Sequence, residues 1–379
     1  MRVAVLGAGG TIAPAIVRDL AGSDEVESLV LLDIDESKAE HVAAVHGGAK
    51  ARAAYADARA RPEARGSLAR ALEGCDALIN SASYRVNLDA MVGCLHAGCH
   101  YLDLGGLYWM TELQLELDAQ FQRQGLLALL GIGSAPGKTN LMAKVAVRDL
   151  RAAIDGDGAR PPAIEAIHVA AAGRDLDPPP GFSVPYALRT LLDELTMRPV
   201  VLRQGRPREI DPLTDGGVVE FGEPIGPAET IHTLHSELRT FGESFGCREA
   251  SFRLSLSPHL LTVLRELANA PADEVERRAA AAAPPSTHTT SVHLVEASAD
   301  GRRVRMRAVT EPMEEWGMGG GIVSTAAPAA AAVRMLAHDV INARGVLPPE
   351  RCIDPEVMFV ELSRRGCRFD LSMPKEVRA

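Results

Sequence analysis

The first 135 residues alternate short apolar segments with longer amphipathic ones. The apolar segments at 3–6, 29–32, 77–79 and 126–130 contain almost no polar side chains, and patterns typical of helices separate them. Strands that are apolar on both faces belong to a parallel sheet that helices cover on each side. The alternation therefore predicts a doubly wound α/β domain of the Rossmann type.

The middle of the chain has a different pattern. Beyond about residue 160, strand candidates such as 290–299 and 303–309 alternate apolar and polar residues, with few helices between them. This alternation is typical of an antiparallel sheet with one open face. We expect an inserted α+β domain, built on a mainly antiparallel sheet, at 141–321. The Rossmann domain is then formed by 1–140 together with 322–379.

Composition and charge narrow the classes of function. The 379 residues are 46% hydrophobic, which is enough for a large core, and the net charge of −10 disfavours a protein that binds nucleic acid. We find neither a signal-peptide core nor an apolar stretch of about 18 residues that could span a membrane. We therefore expect a cytoplasmic protein that acts on a small molecule, without a membrane or nucleic-acid partner.

The six cysteines are too sparse for a disulfide framework in a chain of this length. One cluster, CLHAGCHY at 94–101, combines cysteine and histidine, but its spacing is not that of a paired zinc knuckle. The segment fits the end of a helix, a glycine cap and the start of a strand. We predict no metal site.

A glycine cluster, GAGGTIA at 7–13, follows the first strand and opens the first helix. Glycines allow a tight turn and a close approach of the backbone to a pyrophosphate at the helix N-terminus. The usual third small residue is replaced by Ile12, and Ala13 follows one position later, which predicts a slightly longer turn. A glycine cluster also occurs in loops that bind no nucleotide, so the prediction depends on the surrounding strand and helix. The expected pyrophosphate-binding residues are Gly7, Gly9, Gly10, Thr11 and Ile12.

Acidic and polar residues follow the other strands of the predicted sheet. Asp33 ends the second strand, where a carboxylate accepts hydrogen bonds from both hydroxyls of an adenosine ribose and repels a 2′-phosphate. This position favours NAD over NADP as the cofactor. Because the carboxyl ends of parallel strands share one edge, we expect Asp57 near the adenine. The residues expected near the nicotinamide ribose are Asn80, Ser81 and Ala82.

Two positions are candidates for acid–base catalysis. Asp103 ends the fifth strand in DLGG, where it can accept a proton or bind an ammonium group, or else cap the next helix. In the second domain, His232 lies in GPAETIHTLHSELRTF, and histidine titrates near neutral pH, although a loop histidine often serves only as a hydrogen-bonding residue. We expect Asp103 and the 229–235 segment to face each other across the nicotinamide.

A substrate carboxylate requires a cation or a helix N-terminus. Arg85 follows the fourth strand and Arg174 follows a strand of the second domain, and either can form a bidentate pair, although most arginines are merely solvated. The glycines of WGMGGGIVST at 316–325, which lead into a helix, are the alternative. The expected substrate-binding residues are Tyr84, Arg85, Arg174, Glu229 and Thr233.

Several motifs together resemble one family. The glycine turn, LLDIDESKAE, LINSASYRVN, HYLDLGG, APGKTN and VINARGVLPPE are similar in order and spacing to the saccharopine dehydrogenase-like oxidoreductases. The resemblance covers nearly the whole chain and is weakest between about 140 and 320. It implies a nicotinamide-dependent enzyme that moves a hydride at a C–N bond of an amino acid or amine. It also implies a homodimer or homotetramer built through the second domain.

Within this family the motifs are most similar to bacterial lysine 6-dehydrogenase. That likeness implies oxidative deamination of the lysine ε-amine with NAD, and it aligns the pair His232 and Thr233 with a similar pair there. Two alternatives stay open. One is an NADPH-dependent, imine-reducing dehydrogenase of the saccharopine or carboxynorspermidine type, and the other is a non-catalytic NAD-binding protein.

Overall fold

Two sheets, one parallel and one mainly antiparallel, organise the chain. The computed structural model describes residues 1–154, 163–175, 178, 183–184, 186–283, 286–372 and 375–376. The first unit comprises Met1–Gly137 and Ile322–Ile353, and the second comprises Lys138–Gly321 and Asp354–Ala379. Each unit therefore consists of two separate stretches of sequence.

The first unit is built on a seven-stranded parallel sheet in the order β15-β6-β5-β4-β1-β2-β3. Its strands are β1 (Arg2–Leu6), β2 (Ser28–Asp33), β3 (Ala51–Tyr55), β4 (Ala77–Asn80), β5 (His100–Asp103), β6 (Leu127–Leu129) and β15 (Gly345–Leu347). The central strands are buried on both faces, as their continuous apolar sequences require. The predicted doubly wound fold is confirmed, and the strand order reverses between β1 and β4, where such sheets bind their ligands.

Helices accompany this sheet. They are α1 (Ala13–Ala21), α2 (Glu36–Val42), α3 (Leu68–Ala71), α4 (Asn87–Ala97), α5 (Leu107–Leu115), α6 (Asp118–Arg123), α12 (Gly320–Ala337) and α13 (Pro349–Cys352). In α1 the side chains of Ala13, Ile16, Val17 and Leu20 are fully buried, which is the spacing of one helix face. The single helix expected at 111–124 is in fact two, α5 and α6.

The second unit contains a ten-stranded sheet. Its main path runs β10-β11-β12-β7-β13-β14-β16, with β8 on β12, β9 on β8 and β17 on β14. The strands are β7 (Ala166–Asp175), β8 (Val200–Arg203), β9 (Arg206–Glu209), β10 (Asp215–Glu220), β11 (Pro227–His232), β12 (Glu249–Ser255), β13 (Thr289–Ala299), β14 (Arg302–Thr310), β16 (Cys367–Leu371) and β17 (Lys375–Glu376). Among the described strands of this second sheet, only β7 and β12 pair in parallel. The expected mainly antiparallel sheet is therefore confirmed.

Six helices belong to the second unit within the described residues. They are α7 (Lys138–Ile154), α8 (Leu188–Thr196), α9 (Glu237–Phe245), α10 (Pro258–Leu267), α11 (Ala272–Ala280) and α14 (Pro355–Ser363). Helix α7 packs on β13 and β14. Its first residues, Lys138 and Thr139, are buried although they are polar, so they require polar partners inside the unit.

The C-terminal boundary differs from the one that the sequence suggested. We expected all of 322–379 to belong with the Rossmann domain, but Asp354–Ala379 lies in the second unit. Strand β16 supplies hydrogen-bond partners to the edge of β14, with Cys367 opposite Thr310. Arg148 of α7 also pairs with Glu356 of α14. An open strand edge needs such cover, which the periodicity of the last helix does not reveal.

Helix α12 corrects a second expectation. By length and composition it is apolar enough to cross a membrane, with a mean hydropathy of 1.3, and we had found no such stretch in the sequence. However, 78% of this 18-residue helix is buried inside the protein. Burial of this kind is typical of the core helix of a globular domain.

A buried ion pair joins α12 to α1. Arg334 donates to Asp19 at 2.9 Å, and both side chains are almost inaccessible. Asp19→Ala leaves the guanidinium without this carboxylate in a dry environment, so we expect a loss of about 3–5 kcal/mol in the free energy of unfolding. Urea titration measures it. The exposed Asp24→Ala is the control, and equal stabilities of the two variants would contradict the expectation.

Candidate dinucleotide and acid–base sites

The turn between β1 and α1 has the geometry that a dinucleotide requires. Gly7 has a φ of +75°, and a Cβ at this position would lie 2.6 Å from the backbone nitrogen of Ala82. The N-cap of α1 is Ile12, which provides no side-chain hydrogen bond, so the first N–H groups of the helix point beyond its end. Ile12 stands where the usual pattern has a small residue, and the small residue Ala13, which is fully buried, follows one position later. This cradle fits a pyrophosphate.

Asp33 is fixed beside the same turn. Its Oδ2 accepts the Gly9 N–H at 2.9 Å, and its Oδ1 accepts the Asp35 N–H at 2.9 Å. Each carboxylate oxygen retains a second lone pair, so a ribose diol can still be bound. Lys38 lies close by, because a Cβ on Gly9 would be 2.6 Å from Lys38 Cβ, and its ammonium pairs with Asp35 at 3.4 Å.

The remaining expected cofactor residues lie in the turn or directly after β3 and β4. Asp57 follows β3, and its Oδ1 accepts the Arg59 N–H at 2.9 Å. The Ser81 hydroxyl donates to the Leu6 carbonyl at 2.7 Å, which ties the end of β4 to the end of β1. Because Ala82 lies against Gly7, this segment forms one wall of the turn. Thr11 and Ile12 are partly exposed there.

Asn80 and Asp103 lie in one buried network rather than on an open surface. Asn80 Nδ2 donates to Asn87 Oδ1 at 2.9 Å, and Asn87 donates in turn to Asp103 at 3.3 Å. The carboxylate of Asp103 also accepts hydrogen bonds from Tyr101, Gln114 and two backbone N–H groups, those of Gly105 and Gly131, at 2.6 to 3.0 Å. Five donors therefore surround a side chain that is 1% exposed.

This environment differs from the open one expected for a catalytic Asp103. Burial raises the pKa of its carboxyl group above the ordinary value, although the hydrogen bonds from Gln114, Gly131, Tyr101 and Gly105 partly offset the rise. Both oxygens of the carboxylate accept hydrogen bonds from protein donors, and these bonds hold the carboxyl edge of the sheet together. The catalytic role of Asp103 stays a prediction.

The two arginines expected to bind a substrate carboxylate belong to different units. Arg85 lies in a short helical turn, with its guanidinium carbon 5.0 Å from the ring centre of Tyr84. Arg174 is exposed at the end of β7 and donates to the Pro224 carbonyl. The glycines of the 316–325 stretch serve close packing, since a Cβ on Gly320 would lie 2.2 Å from the Thr310 carbonyl oxygen.

The residues expected at the end of β11 have contrasting environments. Glu229 is exposed on the strand. His232 is half-buried, and burial, with Arg253 nearby, lowers the pKa of its imidazole. Its Nδ1 and the buried Thr233 Oγ1 have no hydrogen-bond partner among the described residues. The structure does not assemble these three side chains into one hydrogen-bonded group.

A neighbouring histidine, His235, is better placed for acid–base chemistry. Its Nδ1 lies 2.7 Å from Glu237 Oε2, and Thr139 Oγ1 donates to Glu237 Oε1 at 2.8 Å. The ring of Phe252 stacks on the imidazole with centroids 3.5 Å apart. The sequence favoured His232 instead, although the two-residue spacing of His235 and Glu237 in HSE was a signal for this pair.

Further titratable side chains surround this pair. Glu194 accepts the Tyr186 hydroxyl at 2.5 Å, and burial raises the pKa of Glu194 to about 7. Burial lowers the pKa of His235, but the carboxylates of Glu237 and Glu194 outweigh it, so the net pKa lies above the ordinary value. Perturbed pKa values of this kind are concentrated at functional sites.

A buried lysine begins α7. Lys138 is 1% exposed, and its Nζ donates to Thr310 Oγ1 at 3.2 Å. Burial lowers the pKa of this ammonium group. Burial, together with Lys138 and His235, holds the pKa of His293 well below its usual value. The interior of the second unit is thus polar and ionisable around the start of α7.

Comparison with known proteins agrees with the geometry of the turn. Residues 3–129 match the family described as saccharopine dehydrogenase NADP binding domain. This part of the chain is therefore similar to that family.

Two similar proteins add to this comparison. A carboxyaminopropylagmatine dehydrogenase of Synechocystis sp. is 29% identical to this chain over 155 residues, which are 39% of this chain and 38% of the relative. The match therefore spans well under half of that protein. The structure of saccharopine dehydrogenase (L-Glu forming) from Saccharomyces cerevisiae has a TM-score of 0.69 at 13% identity, over 98% of this chain and 99% of that one. That likeness shows a shared fold.

Asp33→Ala tests the expected cofactor site. We expect NAD to bind the unmodified protein more tightly than NADP, because a fixed carboxylate bonds the ribose hydroxyls and repels a 2′-phosphate. Removing it should weaken NAD binding by about tenfold or more and narrow the gap between the cofactors. Isothermal titration gives both dissociation constants. Asp35→Asn is the matched control, and equal affinities in the unmodified protein would contradict the expectation.

Asp103→Asn tests the structural role of that carboxylate. Because five donors lose a charged acceptor, we expect a loss of about 3–5 kcal/mol in the free energy of unfolding, measured in urea. The variant that remains folded should bind NAD nearly as well as the unmodified protein. A variant of unchanged stability with no turnover would instead restore the catalytic role.

Proposed function

We propose that the protein is an NAD-dependent dehydrogenase that oxidises a carbon next to a primary amine, in the manner of a lysine 6-dehydrogenase. The observation that carries the proposal is the combination of a dinucleotide turn with Asp33 fixed beside it and a buried, carboxylate-held histidine in the second unit. The first supports a nicotinamide cofactor without a 2′-phosphate. The second supports proton removal from an amine.

Each part of the reaction has residues suited to it. A nicotinamide cofactor, when bound, would supply the hydride acceptor for the substrate carbon. The turn at Gly7 and the N-terminus of α1 hold the pyrophosphate, and Asp33 holds the adenosine ribose. An amine must lose its extra proton before its carbon can be oxidised, so a base is required. A histidine held by a carboxylate meets that need.

The overall reaction consumes one molecule of water. A primary ammonium compound, NAD⁺ and water give an aldehyde, NADH, an ammonium ion and a proton. One C–H bond breaks and its electron pair leaves the carbon, and the C–N bond then breaks as water adds. The protein's own task is to position the amine and to handle the protons.

A second candidate runs in the opposite direction. The name of the relative, carboxyaminopropylagmatine dehydrogenase, describes a substituted amine. A substituted amine can form when an enzyme joins an amine and a carbonyl compound and reduces their imine, and the name favours such an enzyme. The matched family is also described by NADP, and Lys38 lies beside Asp33 as a cation near the ribose position. In this candidate NADPH is the cofactor.

A panel of amines distinguishes the candidates. We expect lysine or a similar ω-amino acid or diamine to reduce NAD, followed by absorbance at the nicotinamide band, with NADP much slower. Amine and carbonyl pairs that consume NADPH, without any forward reaction, would favour the reductive candidate. Cofactor binding without turnover in either direction would leave a non-catalytic NAD-binding protein.

A further inference from the structure

The imidazole of His235 is held on two sides inside the second unit. Nδ1 lies 2.7 Å from Glu237 Oε2, and the ring lies flat against Phe252, with 14° between the planes. The carboxylate is held in turn, because Thr139 donates to its other oxygen at 2.8 Å. Glu237 is fully buried. The ring therefore has one orientation.

One ring nitrogen remains for chemistry. A carboxylate only accepts hydrogen bonds, so Nδ1 carries the proton that it shares with Glu237, and in the neutral ring Nε2 has a free lone pair. No hydrogen bond from Nε2 is seen within the described part of the chain. The side chain is 7% exposed, whereas Glu237 is not exposed at all. This is the arrangement of a base and its orienting carboxylate.

Ionisable groups from several elements lie around the ring. Glu237 begins α9, and Glu194 on α8 adds a second carboxylate that bonds Tyr186. His293 on β13 and Lys138 on α7 are further nitrogen bases of this interior, and the charges of Lys138 and His235 both help to lower the pKa of His293. Two carboxylates thus act directly on His235, and they favour its protonated form after a proton has arrived.

We propose that His235 Nε2 is the atom that removes the proton from the substrate nitrogen, and that Glu237 is the positioning residue that fixes the ring for this step. The proposal rests on the proposed function and names its base. An N–H bond of the substrate ammonium breaks, the electron pair stays on the nitrogen, and the proton forms a new bond to Nε2. The same proton leaves later to solvent when the ring is regenerated.

His232, the residue that the sequence favoured, lacks this support. Its Nδ1 is buried without a partner among the described residues, so no carboxylate orients its ring. Burial also lowers the pKa of His232, which makes it a weaker base than His235, whose pKa is raised by the hydrogen bond to Glu237 and by the charges of Glu237 and Glu194. The structure assigns the proton to the second histidine of the segment.

His235→Gln is the direct test, with the amine that the panel identifies. We expect kcat to fall by about 10² to 10⁴-fold, while the dissociation constant for NAD stays within about twofold. His259→Gln, an exposed histidine of the same unit, is the matched control and should retain full kcat. Near-full kcat in a folded His235→Gln variant would overturn the proposal.

Glu237→Gln separates positioning from mere structural support. Wild-type kcat should rise with pH as Nε2 loses its proton, and removing the negative charge of Glu237 lowers the pKa of the ring. The rising limb should therefore move to lower pH by about 1 to 3 units. Thr139→Val should lower kcat in the same way and Thr139→Ser should restore it. An unmoved limb in an active, folded Glu237→Gln variant would overturn the role of Glu237.

A spectroscopic measurement does not depend on turnover. In protein labelled with ¹⁵N-histidine, long-range ¹H–¹⁵N spectra should show His235 protonated on Nδ1 and unprotonated on Nε2 at high pH, with assignment by His235→Gln. A ring with Nε2 protonated instead would overturn the proposal. If the unmodified protein turns over no amine in either direction, the proposed function has failed and the inference fails with it. If it does turn over an amine and His235→Gln is unaffected, only the inference has failed.

Discussion

The buried carboxylate of Asp103 organises the edge of the parallel sheet where the cofactor residues lie. An ion in a low-dielectric interior costs several kcal/mol unless donors surround it. The donors come from the loops after β5 and β6, from α4 and from α5, so each of these segments must take one conformation. Asn80 joins the same network, and the chain that follows it then passes against Gly7. The geometry of the turn depends on this polar core beneath it.

Much of the first unit follows from its sequence because strand and helix periodicities are local. The apolar strands, the glycine turn and the acid at the end of β2 all lie where the pattern places them. The burial of Asp103 could not be predicted, because a carboxylate at the end of a strand has the same local sequence whether it faces solvent or five donors. The C-terminal boundary of the first unit could not be predicted for a similar reason, since the pairing of β16 with β14 joins distant segments.

The second unit shows where sequence reasoning fails for a site. Lys138 and Thr139 stand in APGKTN, far along the chain from His235, and only the fold brings Thr139 to Glu237. The sequence favoured His232 because His232 and Thr233 resemble a pair in lysine 6-dehydrogenase, and His235 lies only three residues later. The deciding observation is the neighbouring carboxylate at Glu237, a through-space contact whose only sequence trace is a two-residue spacing.

The interior of the second unit also carries a cost. Lysine, histidines and glutamates that are buried together lose their hydration, and their hydrogen bonds recover only part of that free energy. The buried apolar side chains of β13 and β14 supply compensating burial. The second unit therefore devotes part of its core to ionisable groups.

The strands of the first sheet come from two separate stretches of sequence, which has a consequence for the synthesis of the chain. Strand β6 is completed by β15, yet all of 138–321 is synthesised between them. On the ribosome, β6 therefore emerges with one apolar edge unpaired, and it stays unpaired while most of the second unit is made. An open edge of this kind invites pairing with other nascent chains. Efficient production of the protein thus depends on how quickly the intervening segment folds and how well chaperones shield that edge in the meantime.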